Sequence, residues 1–137
     1  MAGLRLEIIT PDKVAFSEEV HSVILPSADG EMGALANHVP MVTMLNPGEL
    51  QVQQINGESL NLAVGEGFVE VTGHHVSVLT DMALESVDIN ESVAEEAIKR
   101  AEEALKSEPA DSDEAKLLMA SIQRNVAQLK VKRRKRG

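Results

Sequence analysis

Cysteine, tryptophan and tyrosine are absent from this 137-residue chain, and phenylalanine occurs only twice. The lack of thiols removes disulfides, thiolate nucleophiles and cysteine metal sites from consideration. The near-absence of aromatics removes a stacking platform for bases or sugars, so any core must be aliphatic. No apolar run approaches the ~20 residues that a membrane helix needs. The start, Met1-Ala2-Gly3-Leu4-Arg5, has no signal-peptide apolar region, and a cytosolic-type compartment is expected. What is present is ordinary for a globular protein: 43% hydrophobic and 26% charged residues.

A net charge of −9 conceals a division. Six of the thirteen basic residues, Lys130, Lys132, Arg133, Arg134, Lys135 and Arg136, occupy the last eight positions. Residues 1–129 hold seven basic against 22 acidic residues, a balance of −15. A body this acidic repels polyanions, and no nucleic-acid partner is expected for it.

The chain changes period near residue 86. Leu4-Arg5-Leu6-Glu7-Ile8 alternates apolar and polar, as a strand with one buried face does. Turn chemistry recurs at Thr10-Pro11-Asp12-Lys13, Ala28-Asp29-Gly30, Asn46-Pro47-Gly48, Asn56-Gly57 and Thr72-Gly73-His74-His75. Pro47-Gly48 suits a type II turn, and Asn56-Gly57 a two-residue type I′ hairpin. Short strands at this spacing predict an antiparallel sandwich or flattened barrel over 1–85. Residues 86–137 then predict a helical hairpin. Val93, Ala94, Ala97, Ile98, Ala101, Ala104 and Leu105 form one stripe; Ala115, Leu118, Ile122, Val126 and Leu129 form the second, from about Ser112. The break is Ser107-Glu108-Pro109-Ala110-Asp111. The first helix has two possible capping arrangements, Asp88 with Glu91 or Ser92 with Glu95. The first stripe is Ala-rich and narrow and the pairing of the helices buries little area, so the hairpin is expected to have modest stability.

Chemistry is sparse. His21, His38, His74 and His75 are the histidines; neighbours on a strand face opposite ways, so His74 and His75 are read as solvated turn residues and not as a metal site. No phosphate loop, nucleophile elbow or metalloprotease pattern occurs. Gly65-Glu66-Gly67 lies between strands and is too short for a dinucleotide site. No catalytic residue, metal or cofactor is expected.

One ordered string is far more specific: Leu25-Pro26-Ser27-Ala28-Asp29-Gly30-Glu31-Met32-Gly33-Ala34-Leu35-Ala36-Asn37-His38-Val39-Pro40, continuing to Leu45-Asn46-Pro47-Gly48-Glu49-Leu50. With Gly67-Phe68-Val69-Glu70-Val71, Val76-Ser77-Val78-Leu79-Thr80-Asp81 and the Ala/Glu/Lys-rich helices, it resembles the epsilon family of the F-type, rotary ATP synthase along essentially the whole chain. That resemblance implies a sandwich of about ten strands followed by a two-helix antiparallel hairpin, without catalysis of its own. It implies partners: the gamma subunit, the ring of c subunits, and the alpha and beta catalytic subunits through the helices. Asp29, Glu31 and Met32 would face the ring and His38 would lie near gamma. The location implied is peripheral, on the cytoplasmic face of a bacterial-type inner membrane or the stromal face of thylakoids.

Members of the family restrain ATP hydrolysis with an extended hairpin, and some bind ATP through Ile/Leu-Asp-x-x-Arg-Ala. Here the stretch is Val87-Asp88-Ile89-Asn90-Glu91-Ser92, with an acid for the arginine and Ser92 for the alanine. A reversed charge beside a triphosphate is unfavourable, so no nucleotide site is expected. Lys132, Arg133, Arg134, Lys135 and Arg136 have two readings, a frayed terminus or a contact with an acidic segment of beta. The alternative function is a free-standing sandwich binding module with a helical or basic tail; nucleic-acid association would have to be confined to that tail.

Overall fold

In the computed structural model the alternation of the first residues becomes strand β1 (Leu4–Ile9), whose Leu4, Leu6 and Ile8 are fully buried. Residues 3–28, 30–35 and 40–136 are described, without the side chains of residues 35, 135 and 136. Strands β2 (Val14–Ser27), β3 (Gly30–Leu35), β4 (Met41–Leu45), β5 (Gly48–Gln54), β6 (Ser59–Val64), β7 (Gly67–Thr72), β8 (His75–Thr80) and β9 (Ala83–Glu85) follow. Among the described residues there are therefore nine strands where the resemblance implied about ten.

Strand β2 takes part in both layers. Its first half pairs with β1 and its second half with β3 and β5, and the register slips between Val20 and Ser22. Val20 and Val23 both point inward, three residues apart, as an inserted residue in an alternating strand requires. One bent strand thus serves both layers. The first layer is β2-β1-β8-β7-β4 and the second β3-β2-β5-β6-β9. All pairings are antiparallel except β1 with β8, where two strands distant in sequence close the first layer. The core between the layers is aliphatic, built from Leu4, Leu6, Ile8, Val20, Leu25, Leu50, Leu62, Val69 and Val78 among others, with Phe16 at its margin. Each such side chain contributes about 1.5–3 kcal/mol on burial.

Two turns differ from their sequence reading. Gln54 N donates to Glu58 O (2.8 Å) and accepts at its own carbonyl from Gly57 N (3.0 Å), giving a three-residue loop, with Gly57 at φ 92°. One left-handed residue suffices there, so the two-residue type I′ form is not used. Gly48 does not adopt positive φ and so makes no type II turn; a Cβ there would lie 3.0 Å from Pro26 Cβ, and close approach explains the glycine.

After β9 comes a short 3-10 turn (Ser86–Asp88), then helices α1 (Glu91–Leu105) and α2 (Asp113–Arg136). Neither capping arrangement read from the sequence is used at α1. Its N-cap is Asn90, whose Oδ1 accepts from Val93 N at 3.1 Å. Ser112 Oγ caps α2 by accepting from Ala115 N (3.0 Å). The helices are antiparallel, the end of α2 lying against the start of α1. Ala94 and Ala101 on α1 and Ala115 and Leu129 on α2 are buried. Val93, Ala104 and Val126, counted in the stripes, are instead exposed. Helix α2, not α1, leans on the sandwich: Ala127 and Val131 meet Ala63 and Ile89, flanked by Met82 and Leu84.

Candidate docking face and tail-anchoring site

The outward side of the first layer carries an apolar row. Met44 pairs with Phe68, Phe68 with Leu79, Leu79 with Ile9, and Ile9 with Val14. Cross-strand neighbours on one face stand about 4.5–5.5 Å apart, so the row is continuous. Met44, Phe68, Leu79 and Val14 are 50%, 54%, 50% and 57% exposed, and Val42 on the same edge strand is 66% exposed. The helices pack on β5 and β6 in the other layer and leave this face uncovered. Sequence reading overlooked it, although β4, Met41-Val42-Thr43-Met44-Leu45, is apolar on both faces, which a half-solvated strand is not.

Of the partner residues named from the sequence, Glu31 lies within electrostatic reach of Arg134 and, after the hydrogen bond to Glu49, helps to raise its pKa. Glu31 is exposed on β3, where its Oε2 lies 3.4 Å from Gln51 Nε2. Met32 is half-buried and packs against the core. Asp29 and His38 lie outside the described residues. Of the histidines, His74 is exposed in the turn, but His75 is not a solvated turn residue. It opens β8, half-buried, with Nε2 3.0 Å from Glu7 Oε1 and 3.2 Å from Ser77 Oγ. Among the described residues no group of three His, Asp or Glu side chains is placed to hold a metal ion. No helix among them is long and apolar enough to cross a membrane.

Of the stretch Val87–Ser92, Glu91 meets the basic tail. Val87, in the 3-10 turn, is 81% exposed; Asp88 and Ser92 are exposed as well. Glu91 opens α1 and faces the end of α2. Arg133 Nε donates to Glu91 Oε2 at 2.8 Å, and its Nη2 to Glu95 Oε2 at 3.1 Å. Lys132 Nζ donates to the carbonyl of Ser86 at 3.0 Å. Arg134 Nε donates to Glu49 Oε2 at 2.6 Å, and Glu49, on β5, is only 5% exposed. Both guanidinium groups are held above their ordinary pKa, Arg133 first by its hydrogen bond to Glu91 and Arg134 first by its bond to Glu49. The tail is therefore helical and anchored, not frayed, as far as Arg134; the side chains of Lys135 and Arg136 lie outside the described residues.

The described residues thus form a two-layer sandwich with one bare apolar face and, on its other layer, a helical hairpin tied down by charge. Residues 3–86 match the family model described as ATP synthase, Delta/Epsilon chain, beta-sandwich domain. Two relatives called ATP synthase epsilon chain are representative. That of Desulforamulus reducens is 45% identical over 109 residues, 80% of this chain and 82% of the relative. That of Alkalilimnicola ehrlichii is 36% identical over 136 residues, 99% of this chain and 96% of the relative. The chain belongs to the ATP synthase delta/epsilon family. The same fold occurs in a chain of the Euglena gracilis mitochondrial ATP synthase, with a TM-score of 0.80 and 23% identity, over 95% of this chain and 81% of that one.

Proposed function

We propose that this chain is the epsilon subunit of the central stalk. It docks by its sandwich on gamma and the c-subunit ring, couples the ring's rotation to the catalytic head, and restrains ATP hydrolysis through its helices. It performs no catalysis itself; that belongs to the alpha and beta subunits. It lies peripherally, on the cytoplasmic face of a bacterial-type membrane or its stromal counterpart.

The observation that carries this reading is the uncovered row Met44–Phe68–Leu79–Ile9–Val14 on a chain whose full-length relatives are epsilon chains. An apolar strip across five strands is the kind of surface that a subunit interface buries. The second layer cannot supply it, because α2 occupies that face. Glu31 and the segment around Asp29 then remain for the polar loops of the ring, and His38 for gamma.

The test is assembly. Tagged chain expressed with the remaining synthase subunits should co-purify with gamma and with the catalytic subunits. Phe68→Asp combined with Leu79→Asp should abolish that while leaving the chain folded. Recovery of the chain without any synthase subunit, or unimpaired assembly of the double variant, would overturn the reading.

A further inference from the structure

Three consecutive cations at the end of α2 reach three different elements: Lys132 the 3-10 turn, Arg133 helix α1, and Arg134 strand β5. Consecutive helix positions are turned about 100° from one another, so three in a row fan over roughly 200°. Cations spaced three or four apart would all have met one element. The run of basic residues thus suits a helix end lying in a notch between the turn, the other helix and the sheet.

The apolar contact that accompanies this is small. On α2 only Ala127 and Val131 belong to the cluster shared with Ala63 and Ile89. The charges, in contrast, are well matched. The notch presents Glu91, Glu95 and the buried Glu49, and Glu49 Oε1 finds no partner within the described chain. Arg134 is the cation that faces this carboxylate.

We infer that Lys132, Arg133 and Arg134 form an ionic latch that closes the hairpin on the sandwich without any ligand. Glu91 is engaged by Arg133 of the same chain, so closure is internal.

The latch is a property of the isolated full chain and can be tested there, independently of docking on any other subunit. The chain has no cysteine, so Ile55→Cys and Leu117→Cys, both at exposed positions, give one unique pair of spin labels. Their distance distribution at low ionic strength should show a single closed population. Arg133→Gln, Arg134→Gln, and Glu91→Gln with Glu95→Gln should each raise the open-to-closed ratio, by about fivefold for the exposed pair and more for the pair with buried Glu49. About 0.5 M NaCl, where screening acts within a few ångström, should do the same. Reversal of the pair in Glu91→Lys with Arg133→Glu should recover part of the closure. Amide protection of β1 and β8, measured on the same samples, should stay unchanged and so separate opening from unfolding. Removing an acid and removing a base must act in the same direction. Opposite effects would assign the result to net charge, and no effect of any variant would assign closure to the apolar contact; either overturns the latch.

Discussion

Arg134 and Glu49, 85 positions apart in the chain, meet through a 2.6 Å hydrogen bond between Nε and Oε2. Glu49 is buried by the very helix that carries its partner. Docking of α2 therefore both desolvates this acid and neutralises it. Loss of Arg134 alone would leave a buried acid without its cation, which is unfavourable. Here the cost is capped, because the helix can lift away and return Glu49 to water. Arg134→Leu should consequently increase amide exchange in α2 and α1 while the melting of the sandwich changes little. Arg134→Leu with Glu49→Leu should restore slow exchange, since no unpaired charge is then trapped.

Closure should be indifferent to alkali up to about pH 10. A guanidinium whose folded pKa is raised contributes stability that is complete below its unfolded pKa and is lost only as pH climbs through the folded value, and both arginines are raised. Arg133→Lys with Arg134→Lys should shift that loss downward, with opening beginning as lysine deprotonates near its usual ~10.4. Label distances recorded from pH 7 to pH 10.5 check this.

In the assembled enzyme, Glu91→Gln with Glu95→Gln should strengthen the restraint on ATP hydrolysis. These changes free the hairpin without touching the tail's own charge. Neutralising Lys132 through Arg136 frees the hairpin too but removes what it would offer an acidic surface, so restraint should weaken. Raised salt acts on closure and on that contact together, and its net effect on hydrolysis should be smaller than either variant's. Hydrolysis rates of the reconstituted assembly, compared at low ionic strength, decide the matter.

Deletion from Ser86 onward should leave a folded sandwich that still binds gamma. Its core lies between the two layers and draws nothing from the helices. The truncation uncovers Ala63, Met82, Leu84 and Glu49, a small area of which the acid is hydrated readily. Circular dichroism and gamma co-purification are the measurements; a chain unfolded at room temperature would contradict the division at residue 85.

Calorimetry should detect no ATP binding at micromolar nucleotide. By the resemblance to nucleotide-binding members of the family Glu91 replaces their arginine, and Arg133 is already engaged by Glu91 and Glu95. Glu91→Arg alone should fail to create a site, because it sets two guanidinium groups against each other and loosens the helix pair.

Much of this protein is written locally. Alternation in Leu4–Ile8, the turn residues, and the change of period near Ser86 determined a sandwich followed by a hairpin, because side-chain period and backbone preference are properties of adjacent residues. The ordered string from Leu25 to Leu50 identified the family for the same reason. What depended on distant residues was decided only by the fold. The bulge in β2 that joins the layers, the choice of Asn90 as cap, and the exposure of Val126 follow from which faces meet. The apolar row needed five strands in register before Phe68 and Leu79 became neighbours of Ile9. Above all, the sequence could show six cations at one end and a reversed charge at Glu91, but not that they answer each other. Ion pairs act over a few ångström, and only tertiary structure brings Arg133 to Glu91 and Arg134 to Glu49.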